Sequence, residues 1–252
     1  MRILVLGGTA EARELADRLH PGAHVVTSLA GRVPDPALPA GSVRIGGFGG
    51  VAGLREWLCA NRIDALIDAT HPFAETITGN GAKACAQLGL PHLVLCRPAW
   101  DSAGATVVDS AAAAAGLVAD RGHRRVFLTT GRSGVPYFTD VDAWFLIRLV
   151  TAPDPAVLPR RHEVVLSRGP YRYDTERALM ASHRIDALVT KNSGGELTRA
   201  KLDAARALGV DVVMIERPPL PPGVPVVDSV GAALAWVHAG ASGGLSRGSA
   251  AE

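Results

Sequence analysis

RIDAL at Arg62–Leu66 and RIDAL again at Arg184–Leu188 are identical, and this repetition decides how the chain is read. Around the pair, three further landmarks recur in the same order. RILVL at Arg2–Leu6 returns as RVFLT at Arg125–Thr129, and LGLPHLVLCRP at Leu88–Pro98 returns as LGVDVVMIERP at Leu208–Pro218. VVDS at Val107–Ser110 returns at Val226–Ser229. Each pair is separated by about 120 residues, so the chain is a duplicated unit, and such internal repeats are read before any single element. What the copies share is framework; where they differ is the place to look for chemistry.

Composition sets the outer limits. A chain of 252 residues, 48% hydrophobic and 20% charged, can build one large domain or two of ordinary size, and the repeat favours two. The expected division is 1–121 and 122–238, with a flexible Gly/Ser/Ala-rich tail at 239–252. No apolar run approaches the ~18 residues of a membrane span, and Met1 leads straight into a strand pattern without a signal peptide. A cytoplasmic protein without membrane partners is expected. A net charge of +2 and 5% aromatic residues argue against a nucleic-acid partner. Cys59, Cys85 and Cys96 lack CxxC spacing, so they read as reduced core thiols, and no metal site is indicated.

In both copies short apolar runs alternate with helical patterns, the signature of parallel strands buried on both faces. The first copy places strands at Arg2–Leu6, His24–Ser28, Val43–Ile45, Ala65–Asp68 and His92–Cys96. The second places them at Val126–Thr129, Trp144–Leu149, Glu163–Ser167, Ala187–Thr190 and Val212–Ile215. Between the third and fourth strands, Val51, Leu54 and Leu58 share one helix face. The fold class is α/β, two Rossmann-like doubly wound parallel-sheet domains. The segments before the VVDS strands, RPAWDSAGA and RPPLPPGV, are too short for a crossover helix. Each VVDS strand must therefore run antiparallel or leave its own sheet, and exchange between the two sheets would tie the halves together.

Ligands of such sheets sit beyond the carboxyl ends of the strands, and there the copies diverge. After the first strand, copy one reads GGTAEAR (Gly7–Arg13) and copy two TGRSG (Thr130–Gly134). Gly7 and Gly8 permit a tight turn, and the helix that follows aims its N-terminal N–H groups at an anion. Thr9 and Arg13 join them as candidates for a dinucleotide's pyrophosphate, and Glu11 is a further cofactor-site candidate; a plain strand-to-helix turn is the alternative. The second strand ends in TSLAGR without a carboxylate. NAD sites usually carry an acid there for the ribose 2′-hydroxyl, so Ser28 and Arg32 favour NADPH. The four glycines of VRIGGFGGV either let backbone approach the cofactor or make a mobile loop. After the fourth strand, copy one reads IDATHPFAE and copy two VTKNSGGE. Thr70 and either Asn192 or Ser193 are plausible helix caps. Capping does not account for His71 or Lys191, which are candidate functional groups, as is Arg132 beside Gly131.

Taken together and in order, GGTAEAR, SLAGR, DATHPFA, TTGR and KNSGG resemble the precorrin-6A reductase family of the corrin (vitamin B12) pathway, over residues 1–238. The resemblance implies an NADPH-dependent enzyme that delivers hydride to one double bond of an anionic tetrapyrrole, precorrin-6A. It implies that the first half holds the cofactor through Gly7, Gly8, Thr9, Glu11, Arg13, Ser28, Arg32 and Thr70. The second half would close over nicotinamide and substrate, with Gly131, Arg132, Asn192, Ser193 and Gly194 contributing to the cofactor site. His71 and Lys191 are the candidate catalytic acids, solvent being the alternative source of the proton. The substrate's carboxylates predict basic residues near the strand ends, among them Arg97, Arg132, Arg148, Arg168, Arg172 and Lys191. A monomer or small oligomer is expected. Three other readings stand beside this one: a cobalt-precorrin-6A reductase of the cobalt-first branch, a reductase of a small substrate, and a non-catalytic nucleotide sensor. The small-substrate reductases usually carry a Tyr and a Lys four residues apart, and Tyr137, Tyr171 and Tyr173 have no Lys at that distance.

Overall fold

Two six-stranded, all-parallel sheets organise the computed structural model, which describes residues 1–31 and 38–242. The first copy supplies β1 (Arg2–Leu6), α1 (Ala10–Leu19), β2 (His24–Leu29), β3 (Ser42–Ile45), α2 (Gly50–Ala60), β4 (Ala65–Asp68), α3 (Glu75–Leu88), β5 (His92–Leu95), β6 (Thr106–Val108) and α4 (Ala111–Asp120). The second supplies β7 (Arg125–Thr129), β8 (Trp144–Leu149), β9 (His162–Leu166), α5 (Tyr173–Ser182), β10 (Ala187–Lys191), α6 (Ala200–Leu208), β11 (Asp211–Ile215), β12 (Val226–Val227) and α7 (Val230–Ser242).

The strand orders are β12-β5-β4-β1-β2-β3 and β6-β11-β10-β7-β8-β9. Each is the doubly wound order of a dinucleotide-binding fold, but its sixth strand comes from the other copy. Val226 and Val227 of β12 register with Val94 and Leu95 of β5, and Thr106–Val108 of β6 register with Val213–Ile215 of β11, both in parallel. The VVDS strands are thus exchanged, and the antiparallel alternative is excluded. The physical reason is the one the short gaps supply: neither segment has the length to cross back over its own sheet. In both copies the Ser of VVDS then starts the next helix, Ser110 Oγ accepting from the Ala113 N–H at 3.1 Å and Ser229 Oγ from Ala232 at 3.4 Å.

Two compact units follow from the exchange. One is Met1–Arg97 with the chain from Pro218 onward; the other is Pro98–Arg217. The repeat boundary at 121/122 therefore falls inside the second unit, between α4 and β7. Helix α7 also takes in Ala239–Ser242, the start of the segment expected to be a tail, and residues 243–252 lie outside the described residues.

RIDAL repeats because both sheets use it in the same way. Arg62 and Arg184 each adopt φ of 50°, and the Asp that follows caps the first strand of its sheet. Asp64 Oδ2 accepts from the Arg2 N–H at 2.8 Å, and Asp186 Oδ2 from Arg125 at 3.1 Å. These contacts lie at the amino ends of the sheets, away from the ligand edge.

In the first unit the alternation of β1 sends Ile3 and Val5 to one face and Leu4 and Leu6 to the other. The first pair packs with Leu15 and Leu19 of α1 and Leu234 and Val237 of α7. The second packs with Leu54 and Leu58 of α2 and Cys85 of α3, whose thiol burial pushes up to about 12. In the second unit Phe127, Leu146 and Leu188 pack with Met180 of α5 and Ala204 and Ala205 of α6. Among the described residues no helix is long and apolar enough to cross a membrane.

Candidate functional site

In the first unit the strand order reverses between β1 and β4, so the loops after these strands flank the crevice where such sheets take ligands. The turn after β1 is built for close approach. Gly8 adopts φ of +113°, and a Cβ placed there would meet nothing within 4 Å, so the backbone borders open space. Thr9 is the N-cap of α1, its Oγ1 accepting from the Ala12 N–H at 3.0 Å. The same hydroxyl donates to the Ala69 carbonyl at 2.7 Å and so ties the β1 turn to the β4 loop. Glu11 does not face the turn unpaired: Arg97 Nη1 stands 2.8 Å from its Oε2. Thr9, Glu11, Thr70, Pro72, Leu95 and Arg97 line a shallow depression at this edge. Arg13 lies on α1 with its Nε buried.

The β4 loop is ordered by Asp68, which is 2% exposed. Its Oδ1 accepts from the Thr70 N–H at 3.0 Å and the Thr70 hydroxyl at 2.6 Å, while Oδ2 is buried without a hydrogen-bond partner. Thr70 is therefore not a helix cap; α3 begins at Glu75 behind Ala74, because the hydroxyl is already committed to Asp68. The Phe73 N–H donates to Nδ1 of His71 at 3.2 Å, which fixes the neutral ring with its proton on Nε2.

At the end of β2, Ser28 is 7% exposed and Arg32 lies outside the described residues. The cation found at Ser28 is Arg44 of β3, which sequence reasoning did not single out. Ser28 and Arg44 are register partners, and Arg44 Nη1 donates to Ser28 Oγ at 3.3 Å. The guanidinium lies over Phe48, 3.7 Å from the ring centroid, and donates to the carbonyls of Gly46 and Gly47. Partial burial lowers its pKa from the ordinary value. The glycine loop after β3 is thus held against a cation. The signal was in the sequence, an Arg two residues before a Gly-rich run with an aromatic at i+4, but its partner Ser28 is set only by strand pairing.

The second unit departs from this plan at the same points. β7 runs through Gly131 and Arg132 into a four-residue 3-10 helix, Val135–Phe138, in place of a full helix. Lys191 ends β10 with its ammonium 3.4 Å from Ser133 Oγ, so the loops after β7 and β10 meet. Asn192 is occupied throughout. Its Oδ1 accepts from the Trp100 N–H at 2.8 Å, its Nδ2 donates to the Trp100 carbonyl at 3.2 Å, and Arg217 Nε donates to its carbonyl at 2.8 Å. It therefore caps no helix, and neither does Ser193; α6 begins at Ala200 behind Arg199. Gly194 is equally constrained, since a Cβ there would lie 2.0 Å from the Pro98 carbonyl oxygen.

Arg148, expected among the exposed basic residues, is 8% exposed and forms a bidentate pair with Glu176, at 2.9 and 2.7 Å. A surface Arg would need no such partner; a buried one does. Lys201 lies close to this pair, 4.5 Å over the Trp100 ring, and donates to the Thr198 carbonyl at 2.9 Å. Burial first, and then Arg148, lower its pKa to about 7. Arg168 and Arg172 are exposed at the β9–α5 loop, as expected.

The model of the family described as precorrin-6x reductase CbiJ/CobK matches residues 2–238. A precorrin-6A reductase of Mycobacterium tuberculosis is 65% identical over 236 residues, covering 94% of this chain and 97% of that protein. One from Rhodococcus erythropolis is 55% identical over 242 residues, covering 94% and 97%. A cobalt-precorrin-6A reductase of Priestia megaterium is 29% identical, covering 86% of this chain and 90% of its own. A solved structure of a CobK precorrin-6A reductase superposes with a TM-score of 0.87 at 37% identity, over 94% of this chain and 96% of that one.

Proposed function

The chain belongs to the precorrin-6x reductase CbiJ/CobK family, and we propose that it is a precorrin-6A reductase, an oxidoreductase of cobalamin biosynthesis. It reduces one double bond of the precorrin-6A macrocycle to give precorrin-6B. The observation that carries the reading beyond kinship is the asymmetry of the copies. In the first unit, β1 passes through Gly8 into a ten-residue helix whose N-terminus is capped by Thr9; in the second, β7 passes into a single 3-10 turn. Of the two turns that follow β1 and β7, the first therefore offers an α-helix N-terminus to a pyrophosphate and the second does not.

NADPH supplies the hydride when bound. Gly7, Gly8 and the first-turn N–H groups of α1 would hold its phosphates, while Thr9, with both hydroxyl roles used inside the protein, shapes the turn. No carboxylate follows β2 at Ala30 and Gly31, in keeping with a 2′-phosphate rather than a 2′-hydroxyl. In the second unit Arg132, Lys191, Arg168 and Arg172 supply positive charge for the substrate's carboxylates. The reduction also consumes a proton, for which Lys191 through its ammonium and His71 as an imidazolium, its Nδ1 released from the Phe73 N–H, are the two candidate donors. The higher identity to precorrin-6A reductases than to a cobalt-precorrin-6A reductase favours the metal-free macrocycle. A cytoplasmic monomer or small oligomer completes the reading.

The test mixes the protein with NADPH and precorrin-6A and follows loss of the reduced nicotinamide absorbance, against NADH and against the cobalt-containing substrate. Oxidation with precorrin-6A supports the proposal. Turnover confined to the cobalt form would move the enzyme to the other branch, and dinucleotide binding without oxidation of either pair would make the protein a sensor.

A further inference from the structure

We propose that Arg44, held between Ser28 and Phe48, is the residue that reads the 2′-phosphate of the dinucleotide. This rests on the first unit being the NADPH-binding half.

Position comes first. In doubly wound sheets the ribose 2′ substituent is recognised at the carboxyl end of the second strand, by a carboxylate for the hydroxyl or by an Arg for the phosphate. That end here is Ser28, and β3 lies beside it with Arg44 directly opposite. The side chains of the pair already touch, Nη1 to Oγ at 3.3 Å, so one hydroxyl and one guanidinium converge on a single spot. A phosphate is recognised by that donor combination.

Preorganisation comes second. The guanidinium rests on Phe48, and Phe48 packs edge-on against Trp57 of α2, with centroids 5.5 Å apart. The loop can lie this close to α2 only because residue 53 is Gly: a Cβ there would stand 1.8 Å from the Phe48 carbonyl oxygen. Arg44, Phe48 and Trp57 thus form a stack, admitted by Gly53, that fixes the cation before any ligand arrives, which limits the ordering cost of binding.

Charge comes third. The bonds of Arg44 go to two carbonyls and one hydroxyl, all uncharged, and among the described residues no carboxylate pairs with it. A guanidinium has five N–H donors, so three such bonds leave capacity for an anion. By contrast Arg148 and Arg97 each have a carboxylate partner.

The test is equilibrium binding of NADP⁺ and NAD⁺, by calorimetry, to wild type, Arg44→Gln, Arg44→Lys and Arg32→Gln. Wild type is expected to prefer NADP⁺. Arg44→Gln should weaken NADP⁺ by roughly 10- to 100-fold, the size of a lost charge-assisted contact, while NAD⁺ stays within about twofold and shows that the fold is intact. Arg44→Lys should keep part of the preference. An unchanged preference in Arg44→Gln, or its loss in Arg32→Gln alone, overturns the assignment. Wild type binding both nucleotides equally overturns it too but leaves the dinucleotide site standing; wild type binding neither overturns both.

Discussion

The side chain of Asn192 closes a two-way bridge on the backbone of Trp100, accepting from its N–H at 2.8 Å and donating to its carbonyl at 3.2 Å. Trp100 follows β5 in the chain but lies in the second unit, at the point where the first copy enters it to deliver β6. The indole Nε1 adds a bond to the Gly195 carbonyl at 2.8 Å. KNSGG therefore holds the exchanged segment in place. Asn192→Ala is expected to lose both side-chain bonds and to destabilise the protein by about 1–3 kcal/mol, since the Trp100 N–H and carbonyl are left without partners. Denaturant unfolding checks this. Asn192→Asp should fare no better, because a carboxylate facing the Trp100 carbonyl replaces a donor with an acceptor.

Gly8 gives a second prediction, with binding and stability separable. At φ of +113° an Ala is strained, yet its Cβ would strike nothing in the protein. Gly8→Ala should cost about 1–3 kcal/mol of stability from backbone strain. Because the space its methyl enters is the space assigned to phosphate, NADPH affinity should fall further than stability does. An unaltered dissociation constant in a folded Gly8→Ala protein would remove this turn from the cofactor site.

These two positions show what the sequence could and could not disclose. The Gly8 turn was legible because backbone geometry after a buried strand is a local matter. The exchange of β6 and β12 was legible for a similar reason, since chain length between strands limits the available connections. The bridge from Asn192 to Trp100 was not, because it joins residues 92 apart and nothing local requires it. Nor was the burial of Arg148, whose partner Glu176 is 28 residues away on α5. Arg44 was hidden differently: the glycines after it drew attention to the loop, while its meaning depends on register with Ser28 in another strand.

The two candidate proton donors are separated by single substitutions. His71 can donate only as an imidazolium, which requires Nδ1 to release the Phe73 N–H, and Lys191 lies within reach of Ser133. Removing the true donor should lower kcat by about 10²-fold with little change in NADPH affinity, as for other general acids. Single-turnover rates of His71→Ala and Lys191→Ala decide between them. Rates within a few-fold of wild type in both would assign the proton to solvent or substrate.

Lys201 gives the last prediction, a pH dependence of stability. The residue is 5% exposed, with its ammonium over Trp100 and close to an Arg148–Glu176 pair in which the one carboxylate is already engaged. Burial and Arg148 lower its pKa from 10.5 to about 7 in the folded protein, against the raising influence of Glu176. Below about pH 7 both folded and unfolded chains carry the proton, and the folded state bears the full cost of the buried charge. Between that pH and the unfolded value the unfolded chain binds a proton that the folded one does not, so stability rises with pH. Lys201→Met removes the titrating group while filling the same space beside Trp100. It should be more stable than wild type below about pH 7, on the order of a few kcal/mol, with the gap closing as pH rises. Urea unfolding of both proteins across this range measures the gap. Parallel curves would mean that Lys201 keeps its ordinary pKa, with water reaching an ammonium that the packing around Trp100 excludes.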